Sequence, residues 1–179
     1  MEYAISCLNV VAFYLAIKGK RVSWAISIMS TFTMSLIFWN NMMFSSFVFN
    51  VYSTLCSIIA LFTWTTSKNI ISYKNPNILQ FIILNIGLFI VNYYVFKSEN
   101  IFYDTFGPAC AITATYMLVN KNAFSYIYWI LSDINYLLWG EYPVLYSIML
   151  CLSIYGIIDE ILSRSSTTSR IKRLCKVNI

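Results

Sequence analysis

Residues 18–41 read KGKRVSWAISIMSTFTMSLIFWNN. Lys18, Lys20 and Arg21 lead into an uncharged run at 22–39, and two amides, Asn40 and Asn41, close it. A helix rises about 1.5 Å per residue, so this run spans roughly 27 Å, close to the ~30 Å hydrocarbon layer of a bilayer. A helix of that length on a soluble protein would carry a charged face, and this one has none. Working outward, similar runs fall near 3–17, 44–66, 78–96, 101–119, 123–140 and 142–163. Short polar separators divide them: Lys68 to Asn77, Lys97-Ser98-Glu99-Asn100, Asn120-Lys121-Asn122 and Gly140-Glu141. Composition agrees, with 59% apolar and 11% charged residues, where a soluble domain needs about 25% charged residues to coat its surface. The expected fold is an all-α membrane protein of seven transmembrane helices.

Charge placement tests that count. With the loops alternating between two sides, eleven of the twelve Lys and Arg residues share one side: Lys18, Lys20, Arg21, Lys68, Lys74, Lys121 and the cations from Arg164 onward. Lys97 alone falls opposite. The positive-inside rule then predicts a multi-pass protein of the cytoplasmic (inner) membrane, N-terminus outside and C-terminus in the cytoplasm. Met1-Glu2-Tyr3 lacks the cationic region of a cleavable signal, so the first run is expected to remain as a helix. Pro143 suits the first turn of the last helix, and Gly107-Pro108 should kink or locally unwind the fifth.

The two ends of the chain resemble each other. Tyr14-Leu15-Ala16-Ile17-Lys18 matches Tyr116 to Lys121, Trp24-x-x-Ser27 matches Trp129-x-x-Ser132, and Tyr52-Ser53 with Cys56 matches Tyr146-Ser147 with Cys151. The shared order predicts two parallel three-helix repeats, 1–66 and 101–163, joined by a linker-helix region at 67–100 and followed by a basic cytoplasmic tail at 164–179. Such repeats commonly bracket a midplane binding site. The tail is expected to lean on anionic membrane lipid, and nucleic acid is not an expected partner.

Histidine is absent and the five cysteines form no C-x-x-C pair. No nucleophile–base pair, metal-ligand spacing or phosphate-binding glycine loop occurs, so neither an enzyme, a metal nor a cofactor is expected. Ionisable side chains inside a bilayer are costly, which makes Asp133, in the middle of the sixth run, the leading site candidate. Tyr126, Trp129, Asp133 and Tyr136 share one helix face and offer rings and a carboxylate to an aromatic, hydroxylated or cationic ligand. Asn50, Ser53, Ser57 and Trp64 form a comparable stripe on the third helix. Both stripes also read as packing seams. Asp104 is expected near the outer end of the fifth helix, Asp159 and Glu160 near the cytoplasmic interface, and Glu2 just outside.

On these residues the chain resembles the PnuC-type nicotinamide riboside transporter family, which is related to the SWEET sugar carriers. Leu15 to Lys18 and Trp24 to Ile28 are similar to that family's "LAxKG…W-P-x-G-I" stretch, with Ala25 and Ser27 in place of Pro and Gly. Asn50 to Trp64 resembles the helix ending "G-W-Y-x-W". Ala114 to Lys121 and Tyr126 to Asp133 resemble "A-Q-Y-L-x-x-x-K…W-x-x-W-I-x-x-D". Departures fall at Asn50 (Gln expected), Ser57 (Asn), Leu61 (Trp), Thr115 (Gln) and Tyr126 (Trp). The resemblance implies a three-plus-one-plus-three fold and facilitated diffusion of nicotinamide riboside, with a cytosolic kinase trapping the solute as its phosphate. By position it implies substrate contacts from Asn50, Ser57, Trp64, Thr115, Tyr126, Trp129 and Asp133, to which the third-helix stripe adds Ser53 as an expected substrate-binding residue. A carrier for another vitamin, such as thiamine, and a non-transporting scaffold or accessory subunit are the alternatives; either bundle is open to forming a homo-oligomer.

Overall fold

The structure, a computed structural model, describes residues 2–41, 43–64, 78–96, 100–140 and 142–177. These form α1 (Glu2–Ile17), α2 (Val22–Asn40), α3 (Phe44–Thr63), α4 (Ile78–Val91, continuing into a π-helical turn at Asn92–Phe96), α5 (Ile101–Val119), α6 (Ser125–Trp139) and α7 (Pro143–Val177). Seven helices are present, with no strand among the described residues. Their ends fall close to those read from the sequence, except that α7 runs on to Val177. The separators Lys68 to Asn77, Lys97-Ser98-Glu99 and Glu141, with the side chains of Glu2 and of the tail from Arg164, lie outside the described residues.

Three described stretches are by themselves long and apolar enough to cross a bilayer: Val22–Asn40, Phe44–Thr63 and Pro143–Leu162, with mean hydropathy 1.5, 1.6 and 1.7. Helices α1 and α6 are shorter, at 16 and 15 residues, and α5 is long enough but carries Asp104 and five threonine or tyrosine hydroxyls among its apolar residues.

Polarity runs opposite to that of a soluble domain. Large apolar side chains, among them Phe32, Leu55, Phe62, Ile83 and Leu138, are exposed on the outside. Ser23, Ser30, Ser57, Ser125 and Ser132 are buried. Lipid tails accept the apolar exterior at no cost, whereas hydroxyls are satisfied between helices, where small side chains also allow close approach.

Helix α1 packs on α2, α2 on α3, α3 on α5, α5 on α6, α6 on α7, and α7 returns to α1. Six helices thus close a ring, while α4 packs mainly against α5. Close contact of α5 with α6 depends on Gly107, where a Cβ would stand 2.4 Å from Asn135 Nδ2. Across the same seam Ser132 Oγ donates to the Gly107 carbonyl at 3.0 Å and Asn135 Nδ2 to the Tyr103 carbonyl at 3.0 Å.

Of the kink or local unwinding expected at Gly107-Pro108, the unwinding does not occur; α5 is one continuous helix with Pro108 inside it. Proline has no N–H to give the carbonyl four residues back, here that of Asp104. Asn92 Nδ2 supplies the missing donor at 3.0 Å. The same amide donates to Thr105 Oγ1 at 3.2 Å, and its oxygen accepts from Ser45 Oγ at 2.5 Å. Asn92, 2% exposed, therefore ties the end of α4 to α3 and α5 while satisfying the carbonyl that Pro108 leaves free.

A candidate solute-binding cavity

The six-helix ring surrounds a partly open cavity of about 110 Å³. Helix periodicity decides which side chains reach it. Ser23, Ser27 and Thr31 recur every fourth residue on α2, and Ser46, Asn50, Ser53 and Ser57 follow at helical spacing on α3. Helix α6 adds Trp129, Ser132, Asp133 and Tyr136, and α5 adds Thr115. Asn9 and Phe13 come from α1, and Tyr146 from α7. Among the described lining residues Asp133 is the one carboxylate, and no lysine or arginine takes part.

Part of this polar lining is spent on holding the wall together. Ser27 and Ser57 hydroxyls pair at 3.0 Å and those of Thr31 and Thr54 at 2.8 Å, joining α2 to α3. Asn50 Nδ2 donates to the Ser46 carbonyl at 2.7 Å, and Thr115 to that of Ala111 at 2.9 Å. Asp133, 1% exposed, accepts from Ser153 Oγ of α7 at 3.2 Å. Another part is unspent: Ser23 Oγ, Trp24 Nε1, Ser53 Oγ and Trp129 Nε1 are buried with no protein partner, and all four residues line the cavity. Buried donors in that condition are normally satisfied by water or a ligand.

The Trp129 indole reaches into the middle of the ring. It meets Phe13 of α1 edge-on at 5.5 Å and Phe49 of α3 at 6.0 Å, so it touches helices that are not its neighbours. Toward one end, Tyr136 and Tyr146 stack at 4.4 Å. The opposite end carries Lys18, Arg21 and Lys121. There Trp64 donates its indole N–H to the Val119 carbonyl at 2.9 Å and meets Trp24 edge-on at 4.8 Å. Lys121 lies 5.5 Å from the Trp64 ring. Lys18 ion-pairs with Asp159 of α7 at 3.1 Å, donates to the Tyr155 hydroxyl and lies over the Tyr155 ring, which fastens α1 to α7. The Tyr155 hydrogen bond first, and Asp159 second, push the Lys18 ammonium well above the ordinary lysine range.

Six of the eight predicted site residues, Asn50, Ser53, Ser57, Thr115, Trp129 and Asp133, come together on this cavity. Trp64 does not, because α3 ends at Thr63 and Trp64 turns away in extended backbone to staple α3 to α5. Tyr126 is also off the cavity. It is 3% exposed, packed edge-on to Phe13 and against Gly156 of α7. Asp159 is held in the Lys18 pair, and Glu160 beside it is buried at 9% exposure. The sequence reading missed the α2 wall, although Ser23, Ser27 and Thr31 at i, i+4 and i+8 form a hydroxyl stripe as legible as that on α3.

No curated protein matches the chain in sequence. The crystal structure of the vitamin B3 transporter PnuC is similar with a TM-score of 0.60 at 16% identity, covering 87% of this chain and 79% of that one, a likeness of fold. The family model for nicotinamide mononucleotide transporters matches residues 1–161. The chain belongs to the nicotinamide mononucleotide transporter family of membrane proteins.

Proposed function

We propose that the protein carries nicotinamide riboside across the cytoplasmic membrane by facilitated diffusion. The observation that carries this reading is the charge and chemistry of the cavity wall: aromatic rings, hydroxyls, one carboxylate and no cation among the described lining residues. The riboside is a pyridinium cation with a neutral sugar, so the Trp129 ring and the Asp133 carboxylate both attract its charged end. The mononucleotide adds a phosphate of roughly −1.5 to −2 charge, which would find no lysine or arginine and would face Asp133. Thiamine is also an aromatic cation, but it lacks the sugar that the serine-rich α2 and α3 walls suit.

In this reading the two three-helix units, α1–α3 and α5–α7, rock about the cavity, with α4 as the linker. Their helices adjoin in the same order, and Trp24 and Trp129, matched between the halves, both line the cavity. The Lys18–Asp159 contact lies on the α1–α7 seam, and in this reading it belongs to the cytoplasmic gate. No ion-coupling step is required; a cytosolic kinase drives net uptake by trapping the solute as its phosphate.

The test is calorimetry on the purified protein in detergent, with nicotinamide riboside, nicotinamide mononucleotide and thiamine side by side. The riboside should bind, the mononucleotide should bind more weakly, and Trp129→Ala should weaken riboside binding roughly tenfold or more. Tighter binding of the mononucleotide would refute the charge argument. Thiamine binding alone would replace the substrate, and a folded sample that binds none of the three would favour a scaffold.

A further inference from the structure

The cavity's unspent donors fall into two separate pairs. Ser53 Oγ and Trp129 Nε1 lie in its middle, beside Phe13, Phe49 and the Asp133 face of α6; Ser23 Oγ and Trp24 Nε1 lie at its Lys18 end. The Ser27–Ser57 hydrogen bond sets α2 and α3 level with each other at that point. Ser23 is four residues from Ser27 in one direction along the bundle axis, and Ser53 is four residues from Ser57 in the other. At a rise of about 1.5 Å per residue the two serines stand roughly 12 Å apart along the axis, about the length of one nucleoside-sized solute.

The surroundings of the two pairs differ. The middle pair is flanked by aromatic rings and a carboxylate, an environment for a flat cation. The pair at the Lys18 end is joined by the Ser27 and Ser57 hydroxyls, with no ionisable group among its lining residues. An indole N–H can only donate and a serine hydroxyl can do either, so together they fit a group rich in oxygen acceptors and hydroxyls. Trp24 is pre-set for this role. Its ring is held edge-on at 4.8 Å by Trp64, which is itself pinned to the Val119 carbonyl.

We propose that Ser23 and Trp24 form a second polar station that binds the sugar end of the solute, while the Trp129–Asp133 region holds its aromatic end. The proposal rests on the riboside reading above and deepens it: it assigns an orientation to the ligand, with the sugar toward the Lys18 end, and assigns sugar selectivity to α2.

The experiment compares nicotinamide riboside with N1-methylnicotinamide, which keeps the pyridinium charge and lacks the sugar, the latter measured by competition, on the full-length protein in detergent. Ser23→Ala removes the hydroxyl, and Trp24→Phe removes the indole N–H while keeping a ring against Trp64. Each should weaken riboside binding about three- to tenfold, the range for one hydrogen bond, and leave N1-methylnicotinamide binding unchanged. Trp129→Phe should weaken both ligands. Ser23→Ala guards against a fold defect in Trp24→Phe, since it alters no packing contact of comparable size. Unchanged riboside binding in both variants, or equal loss for both ligands, overturns the station while leaving the substrate reading standing. A folded wild-type protein that binds no riboside overturns the substrate reading, and the station falls with it.

Discussion

Gly156 of α7 meets the ring of Tyr126 on α6, and replacing it with alanine tests how tightly the two helices are matched. A methyl group there would stand 2.6, 2.7 and 2.9 Å from three ring carbons of Tyr126, where carbon atoms rest at about 3.5–4.0 Å. The ring is 3% exposed and braced edge-on by Phe13 at 6.5 Å, so it can yield only by moving its neighbours. Overpacking of this kind costs about 1–3 kcal/mol. Alanine gains about 0.8–1 kcal/mol of helix propensity over glycine, which offsets part of it. Gly156→Ala alone should therefore destabilise by up to ~2 kcal/mol. In a Tyr126→Val background the three ring carbons are gone, and the same substitution should stabilise by up to ~1 kcal/mol. The assay is equilibrium unfolding in detergent of the four proteins of this double-mutant cycle. A Gly156→Ala step of the same sign and size in both backgrounds would refute the reasoning. Because Phe13 also contacts Trp129 at 5.5 Å, riboside affinity should fall in Gly156→Ala as well.

Two further outcomes follow from single side chains. Asn92→Ala deprives Asp104 of the donor that stands in for the Pro108 N–H and leaves Ser45 without its partner; it should lower stability by about 1–3 kcal/mol and speed amide exchange in α4, and an unchanged melting temperature would refute the tether. Lys18 has its pKa raised by Tyr155 and Asp159, so its contribution is complete below the unfolded-state lysine pKa and is lost only as pH rises through the still higher folded value. The melting-temperature difference between wild type and Lys18→Met should accordingly stay constant from about pH 6 to pH 9; a difference that shrinks across that interval would show that Lys18 loses its proton early.

The helices were legible in the sequence because what makes them is local. An uncharged run such as 22–39 can satisfy its backbone in lipid only as a helix, and the brief polar separators mark where each helix must stop. Asp133 could be singled out for the same reason, since burying a carboxylate in a bilayer is costly wherever its partner comes from. The hydroxyl stripe on α2 was equally local and was passed over beside the more conspicuous aromatic face of α6. Other features were not written in any one segment. That Pro108 leaves α5 unbroken depends on an amide from the turn after α4. That Trp64 is a staple and Tyr126 a packing residue depends on Val119 and Gly156, which lie on other helices. Periodicity states which residues share a face, but a face gains its meaning from what is packed against it. Closure of α7 on α1 decided which faces surround a cavity, and long-range contacts of that kind carry no local signal in the chain.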